Sequence, residues 1–132
     1  GADHVVNVGG NALRKVTEIT NGDLCSVVFD ASGNKNALET CPDYMSNGGK
    51  FVLVGLSKGE LTYSHPKVHA KEMTLLCSRN ASQEDFEHVM TILDQFPTSS
   101  FITHNVPFIK MIEHFDSWLD PTTDVIKAVV NF

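Results

Sequence analysis

Few side chains in this sequence have both the type and the spacing to do chemistry. His65 and His69 stand four apart in HPKVH, a spacing that puts two imidazoles on one helix face where they can share a metal ion. Pro66 inside that span and the lack of a nearby acid weigh against such a pair. The three cysteines, Cys25, Cys41 and Cys77, lie far apart and form no CxxC or CxxH spacing. A closed zinc site is therefore not expected, and they read as free, partly buried thiols in a reducing compartment. Ser32 lacks the GxSxG elbow of a serine hydrolase, since Ala31 and Gly33 flank it and Asp30 precedes them. Neither Asp30 with Cys41 nor His104 with His114 offers a triad. What remains is VVFDASGN, Val27 to Asn34: an apolar run, a tight polar turn of small residues, then a helix start. Small residues let an adenine or ribose approach the backbone. Ser32-Gly33 serves equally well as a plain turn into the next helix.

Composition narrows the function classes. A chain of 132 residues with 42% hydrophobic and 20% charged residues can build an ordinary globular core, one domain by default. Its formal net charge of −6, with ten scattered Lys and Arg, argues against nucleic acid, which requires clustered cations. No apolar run approaches the ~18 residues of a membrane span. GADHVVNV is not a signal peptide, having neither a basic start nor a long apolar region. The missing initial Met is read as the mark of a truncated or processed chain, and a cytoplasmic setting is expected.

The elements that must position these residues follow from apolar periodicity. HVVNV (His4 to Val8) is a short apolar run, and Ala12 to Gly22 has Leu13, Val16 and Ile19 at helical spacing. Leu24 to Gly33 has a continuous apolar centre, the pattern of a strand covered on both faces in a parallel sheet. Asn34 to Gly49 reads as a helix capped by Asn34, broken or restarted at Pro42 and closed by Asn-Gly-Gly. Lys50 to Ser57 and Glu72 to Asn80 are further buried strands, with a turn-rich stretch and an edge element between them. Ser82 to Pro97 is the clearest helix. Ser82 with Asp85 forms a capping box, and Phe86, Val89, Met90, Leu93 and Phe96 form one stripe. Ile102 to Phe108 alternates as a half-exposed strand, Ile109 to Asp120 is a short helix ended by Pro121, and Asp124 to Phe132 is a last strand. Strand and helix alternate through Asn80, so the fold class is α/β. We expect a partial doubly wound, Rossmann-like parallel sheet with helices on its faces, followed by a helix-strand-helix-strand segment.

In that order the segments resemble the C-terminal part of a zinc-type medium-chain alcohol dehydrogenase. GADHVVN resembles the family's entry to its third sheet strand; VVFDASGN and NGGKFVLVGLS resemble the fourth and fifth. EMTLLCSRN resembles the sixth in the style of polyol dehydrogenases, and PFIKMIEHFD with DVIKAVVNF resembles the last helix and strand. The resemblance implies that residues 1–81 are the second half of a dinucleotide-binding domain. Residues 82–132 would be a segment that packs back toward the catalytic domain. It implies NAD or NADP as cofactor of the parent enzyme and a small alcohol or polyol as substrate. The GxGxxG phosphate loop, the ribose-reading acid and the zinc ligands would belong to a missing N-terminal catalytic portion, so zinc would not be bound by this chain. The expected function is thus a fragment of a zinc-dependent NAD(P)-linked alcohol or polyol dehydrogenase, catalytically inactive in isolation. The alternative is a stand-alone Rossmann-like binding or interaction module without catalysis.

Ligands of such sheets sit beyond the carboxyl ends of the strands. Ala31, Ser32 and Gly33 follow the fourth strand and would seat the adenosine. Val54, Gly55 and Leu56 follow the fifth, where the family's backbone faces the nicotinamide carboxamide. Gly55 would be small to admit a flat ring, or simply to bend the strand. Ser78, Arg79 and Asn80 follow the sixth. The matching Arg lies near nicotinamide and substrate in polyol dehydrogenases, against a solvated Arg in a helix-entry loop. Lys127 matches a basic position that approaches the pyrophosphate, or is an outward residue of an alternating strand. In the family's strand order, three-two-one-four-five-six, the third strand lies roughly 14 Å from the fourth, at about 4.8 Å per step. The fourth strand's edge is then left open. It is expected either to pair with a second copy, making a homo-oligomer, or to be covered by displaced residues 1–22. The Phe86, Val89 and Leu93 stripe is expected to pack on the chain's own sheet.

Overall fold

Parallel strands cannot be joined by a tight turn; each return needs a crossover, usually a helix. The computed structural model describes residues 2–132, and the chain forms two compact units, Gly1–Asn80 and Ala81–Phe132. In the first, α1 (Ala12–Ile19) precedes β1 (Cys25–Asp30), α2 (Lys35–Thr40), β2 (Met45–Leu53), α3 (His65–Ala70) and β3 (Thr74–Cys77). The three strands lie in the order β1-β2-β3 and both pairings are parallel. This is the α/β sheet expected from the sequence.

Local chemistry explains the helix starts. The Asn34 side chain accepts from the backbone N–H groups of Asn36 and Ala37 at 3.0 and 3.2 Å, capping α2. Pro42 does restart the chain, as a 3-10 turn over Cys41–Tyr44. The stretch expected as the helix end is instead strand. β2 begins at Met45, and its register with β1 jumps from Cys25↔Met45 to Val27↔Lys50, so Ser46 to Gly49 loop out of the pairing. The turn-rich segment after β2 holds a helix rather than an edge strand. Pro66 sits in the first turn of α3, where a missing N–H costs nothing.

The core lies on one side of this sheet. Leu38 of α2 packs with Met45 and Phe51 of β2, all three essentially inaccessible, and Val28, Leu53, Leu61, Tyr63 and Met73 close around them. The other face carries the row Phe29, Val52 and Leu76, with Phe29 67% and Leu76 42% exposed. The continuous apolar run of β1 had implied cover on both faces, and the structure corrects that: alternate residues of the run face solvent. No strand among the described residues pairs with the outer edge of β1. His4 to Val8 form no strand, and Val5 and Val8 are exposed, so these five residues do not pair along that edge.

The second unit contains α4 (Gln83–Ile92), β4 (Ile102–Pro107), α5 (Met111–Trp118) and β5 (Lys127–Asn131), with β4 and β5 parallel. The capping box is present in both directions. The Ser82 hydroxyl accepts from the Asp85 backbone N–H at 3.2 Å, and Asp85 Oδ2 accepts from the Ser82 N–H at 2.8 Å. The stripe of α4 remains exposed at Phe86, Val89, Met90, Leu93 and Phe96, where cover had been expected. No helix among the described residues is long and apolar enough to cross a membrane.

Two outcomes follow from this packing. Phe51→Ala empties the centre of the first unit and should cost about 3–5 kcal/mol, read by chemical denaturation. The Asp85 carboxyl is held below its ordinary value, first by the Ser82 backbone N–H and then by the Ser82 hydroxyl. A depressed acid stabilises above its unfolded pKa, about 3.9, and loses that contribution as pH falls through the lower folded value. Amide exchange at the start of α4 should therefore accelerate in that acid window, and Asp85→Asn should abolish the dependence.

Candidate functional site

The three strand exits are level because the register makes them so. Asp30 pairs with Leu53, and Leu53 with Cys77, so the segments after each strand leave from one row. Asp30 is the only charged or polar residue among those described that is fully buried, at 4% exposure. Its Oδ1 accepts from the N–H groups of Ser32 at 3.1 Å and Gly33 at 2.9 Å, and Oδ2 from the Ser32 hydroxyl at 2.8 Å. Its backbone carbonyl accepts from the N–H groups of Val54 at 2.9 Å and Gly55 at 2.7 Å. Among the described residues no cation pairs with it. Buried negative charge is tolerated here because directed N–H and O–H donors replace water.

This arrangement presses two backbones together. Gly33 has φ +62°, and a Cβ there would meet the Leu56 carbonyl oxygen at 2.6 Å. A Cβ on Gly55 would overlap the Gly33 backbone nitrogen, lie 2.8 Å from Gly33 Cα and 2.9 Å from Asp30 Oδ1. Room for a flat ring had been one expected reason for a small residue at Gly55. The structure supplies another: the neighbouring loop and a carboxylate already fill the place a side chain would take.

Val54, Gly55 and Leu56 then line one cavity with Ser78, Arg79 and Asn80, about 570 Å³ in volume and floored by Leu38, Leu53 and Leu61. The Ser78 N–H donates to the Leu53 carbonyl at 2.9 Å, and Asn80 turns the chain with φ +60°. Arg79 is exposed, so burial costs it nothing. Ala31, Ser32 and Gly33 form the adjoining loop and are not among the lining residues of this cavity. Lys127 belongs to the second unit, exposed at the start of β5 opposite Ile102. Asp30 itself was passed over in the sequence, although a charged residue closing an apolar strand before Ser-Gly was its signal.

The histidine pair does form on α3, with ring centroids 5.6 Å apart. These rings line a second cavity of about 540 Å³ with Tyr63, Val68, Glu72, Met73 and Leu75, so an acid does stand near. No group of three or more metal-donor side chains occurs among the described residues. The three thiols are free, with Cys25 and Cys41 half-buried and Cys77 exposed. Burial, then the charge of Asp30, pushes the Cys41 thiol above its ordinary value. The Tyr63 hydroxyl is buried without a partner and is likewise pushed up, by burial first, then by Cys41, Glu39 and Asp30. The donor set therefore does not fit a zinc ion.

Residues 1–95 match the family model described as zinc-binding dehydrogenase. The L-galactonate-5-dehydrogenase of Escherichia coli is 36% identical over 113 residues, which cover 84% of this chain and 33% of that protein. The crystal structure of 2R,3R-butanediol dehydrogenase from Bacillus subtilis superposes with a TM-score of 0.81 at 17% identity, over 94% of this chain and 36% of the other. A protein described as a short chain alcohol dehydrogenase from E. coli CFT073, solved in complex with NADH, superposes with a TM-score of 0.83 at 20% identity, over 100% of this chain and 39% of the other. The chain thus spans about a third of the length of the curated relatives it matches.

Gly55→Ala should force the two loops apart and destabilise the first unit by about 1–3 kcal/mol. Gly9→Ala, where nothing lies within 4 Å, should stay within about 0.5 kcal/mol of the wild type. Paired denaturation curves of the two variants check the contrast.

Proposed function

The chain belongs to the zinc-binding dehydrogenase family, and from that premise we propose that it forms one wall of the dinucleotide site of an NAD(P)-linked alcohol or polyol dehydrogenase. One observation carries this reading: the exits of β2 and β3, Val54 to Leu56 and Ser78 to Asn80, converge on a single cavity at the carboxyl edge of a parallel sheet. That edge is where doubly wound sheets bind nucleotides. In the proposed pose the Val54–Leu56 backbone faces the nicotinamide carboxamide, and Arg79 stands near nicotinamide and substrate. Ala31 to Gly33 offer the adenosine a surface without bulky side chains. The NADH held by one structural neighbour supports a nicotinamide cofactor.

The work of these residues is orientation. They offer backbone and small side chains against which a planar ring can lie, so that one face is turned to the reacting alcohol. We place the metal chemistry of the whole enzyme in a portion other than these residues. Residues 1–81 serve as the second half of the dinucleotide-binding domain, and the bare stripe of α4 in residues 82–132 fits a surface that packs on the catalytic portion. Free thiols suit a cytoplasmic setting, and the open β1 edge suits further assembly.

The test is a titration of the isotope-labelled chain with NAD, followed by backbone NMR. Weak binding is expected, with a Kd on the order of 1 mM or above and shifts concentrated at Gly33, Gly55, Leu56 and Ser78 to Asn80. No turnover with any polyol is expected. Shifts confined to the His65–His69 cavity, or measurable turnover by the isolated chain, would sink the proposal.

A further inference from the structure

We propose that Asp30 is the positioning residue of this site: its carboxylate sets the loop after β1 against Gly55, so that this loop and the one after β2 form one rigid wall. The inference rests on the dinucleotide reading above for its purpose, but its geometry stands independently. The Asp30 carboxylate shapes its own turn through Ser32 and Gly33. The Asp30 backbone carbonyl, which any residue would supply, holds the second loop through the N–H groups of Val54 and Gly55; what the carboxylate adds across the two loops is its place against Gly55. Its carboxylate occupies the space in front of Gly55, where a Cβ would come within 2.9 Å of Oδ1. One residue therefore fixes the conformation of the first loop, the exit direction of the second and the distance between them.

The type of residue matters. The side chain must accept three hydrogens while buried at 4% exposure, which a carboxylate does with two oxygens. Asparagine keeps one oxygen for the two amides, and its NH₂ can donate to the Ser32 hydroxyl in place of the lost acceptor. Alanine leaves the Ser32 and Gly33 N–H groups without their carboxylate partner, so the turn loses the bonds that hold it closed. The charge is also felt locally, since it helps raise the Cys41 thiol and the Tyr63 hydroxyl. None of this touches a substrate atom; Asp30 acts through the backbone of Gly33, Val54 and Gly55.

The test uses the full chain with Asp30→Ala and Asp30→Asn, read by amide exchange and by NAD-induced NMR shifts. In Asp30→Ala, exchange at Ser32 and Gly33 should accelerate at least tenfold while Phe51 and Val52 keep their protection. The NAD shifts at Gly55 and Leu56 should disappear. Asp30→Asn should restore most of the protection and the shifts, a rescue that general destabilisation would not produce. Unchanged exchange at Ser32 and Gly33 in Asp30→Ala overturns the proposal, as does an Asn variant as damaged as the Ala variant. If Asp30→Ala does not fold, Asp30→Asn decides alone. Protected Ser32 and Gly33 amides then support the proposal, and their loss beside an intact Phe51 strand overturns it. A wild type that shows no NAD shift, yet exchanges as described, refutes the dinucleotide reading and leaves Asp30 as the clamp of the two loops.

Discussion

Parallel pairing is the constraint on which the rest depends. Strands that run the same way, each returned through a crossover, deliver their carboxyl ends to the same edge. Here the register aligns Asp30, Leu53 and Cys77 in one row, so three loops from distant parts of the sequence emerge side by side. Small residues at two of these exits allow backbone to meet backbone, with a buried carboxylate beside them. A cavity between the second and third exits is then a consequence of where the strands stop. No single residue had to be placed there by its own propensity.

The same sheet shows an imbalance of burial. Leu38, Met45 and Phe51 bury the centre of its inner face, while Phe29 and Leu76 on the other face are exposed and no strand among the described residues pairs with the outer edge of β1. The α4 stripe of the second unit is equally bare. Apolar surface of this kind is normally buried against further protein, and relatives of about three times this length contain such protein. The hydrophobic pattern of the chain thus presents more apolar surface than the described residues cover. That is why β1 reads as a strand buried on both faces yet exposes alternate side chains.

Much of the fold was legible beforehand. The Ser82–Asp85 capping box, the Asn34 cap and the restart at Pro42 were read correctly because each is settled by neighbours within four residues. The extent of β2 was misread. Asn47, Gly48 and Gly49 carry the composition of a helix stop, and nothing local tells that Met45 pairs with Cys25. The helix at His65–Ala70 was hidden by Pro66, which interrupts a helix in its interior but suits its first turn. At the site, the three exits were anticipated by type and position, and the structure gathers two of them, Val54 to Leu56 and Ser78 to Asn80, around one cavity. Asp30 was missed because its sequence setting gives its charge and not its burial.

The sequence by itself determined the alternation of strand and helix and the small residues at the strand exits. Those follow from periodicity and backbone hydrogen bonding, which act over a few residues. Tertiary structure alone decided that Gly55 is small because Gly33 and Asp30 crowd it, that the core forms on one face of the sheet, and that Asp30 is enclosed. These depend on which backbone arrives beside which. That is set by strand register and crossover packing between segments far apart in the chain, and no local pattern of residue types encodes it.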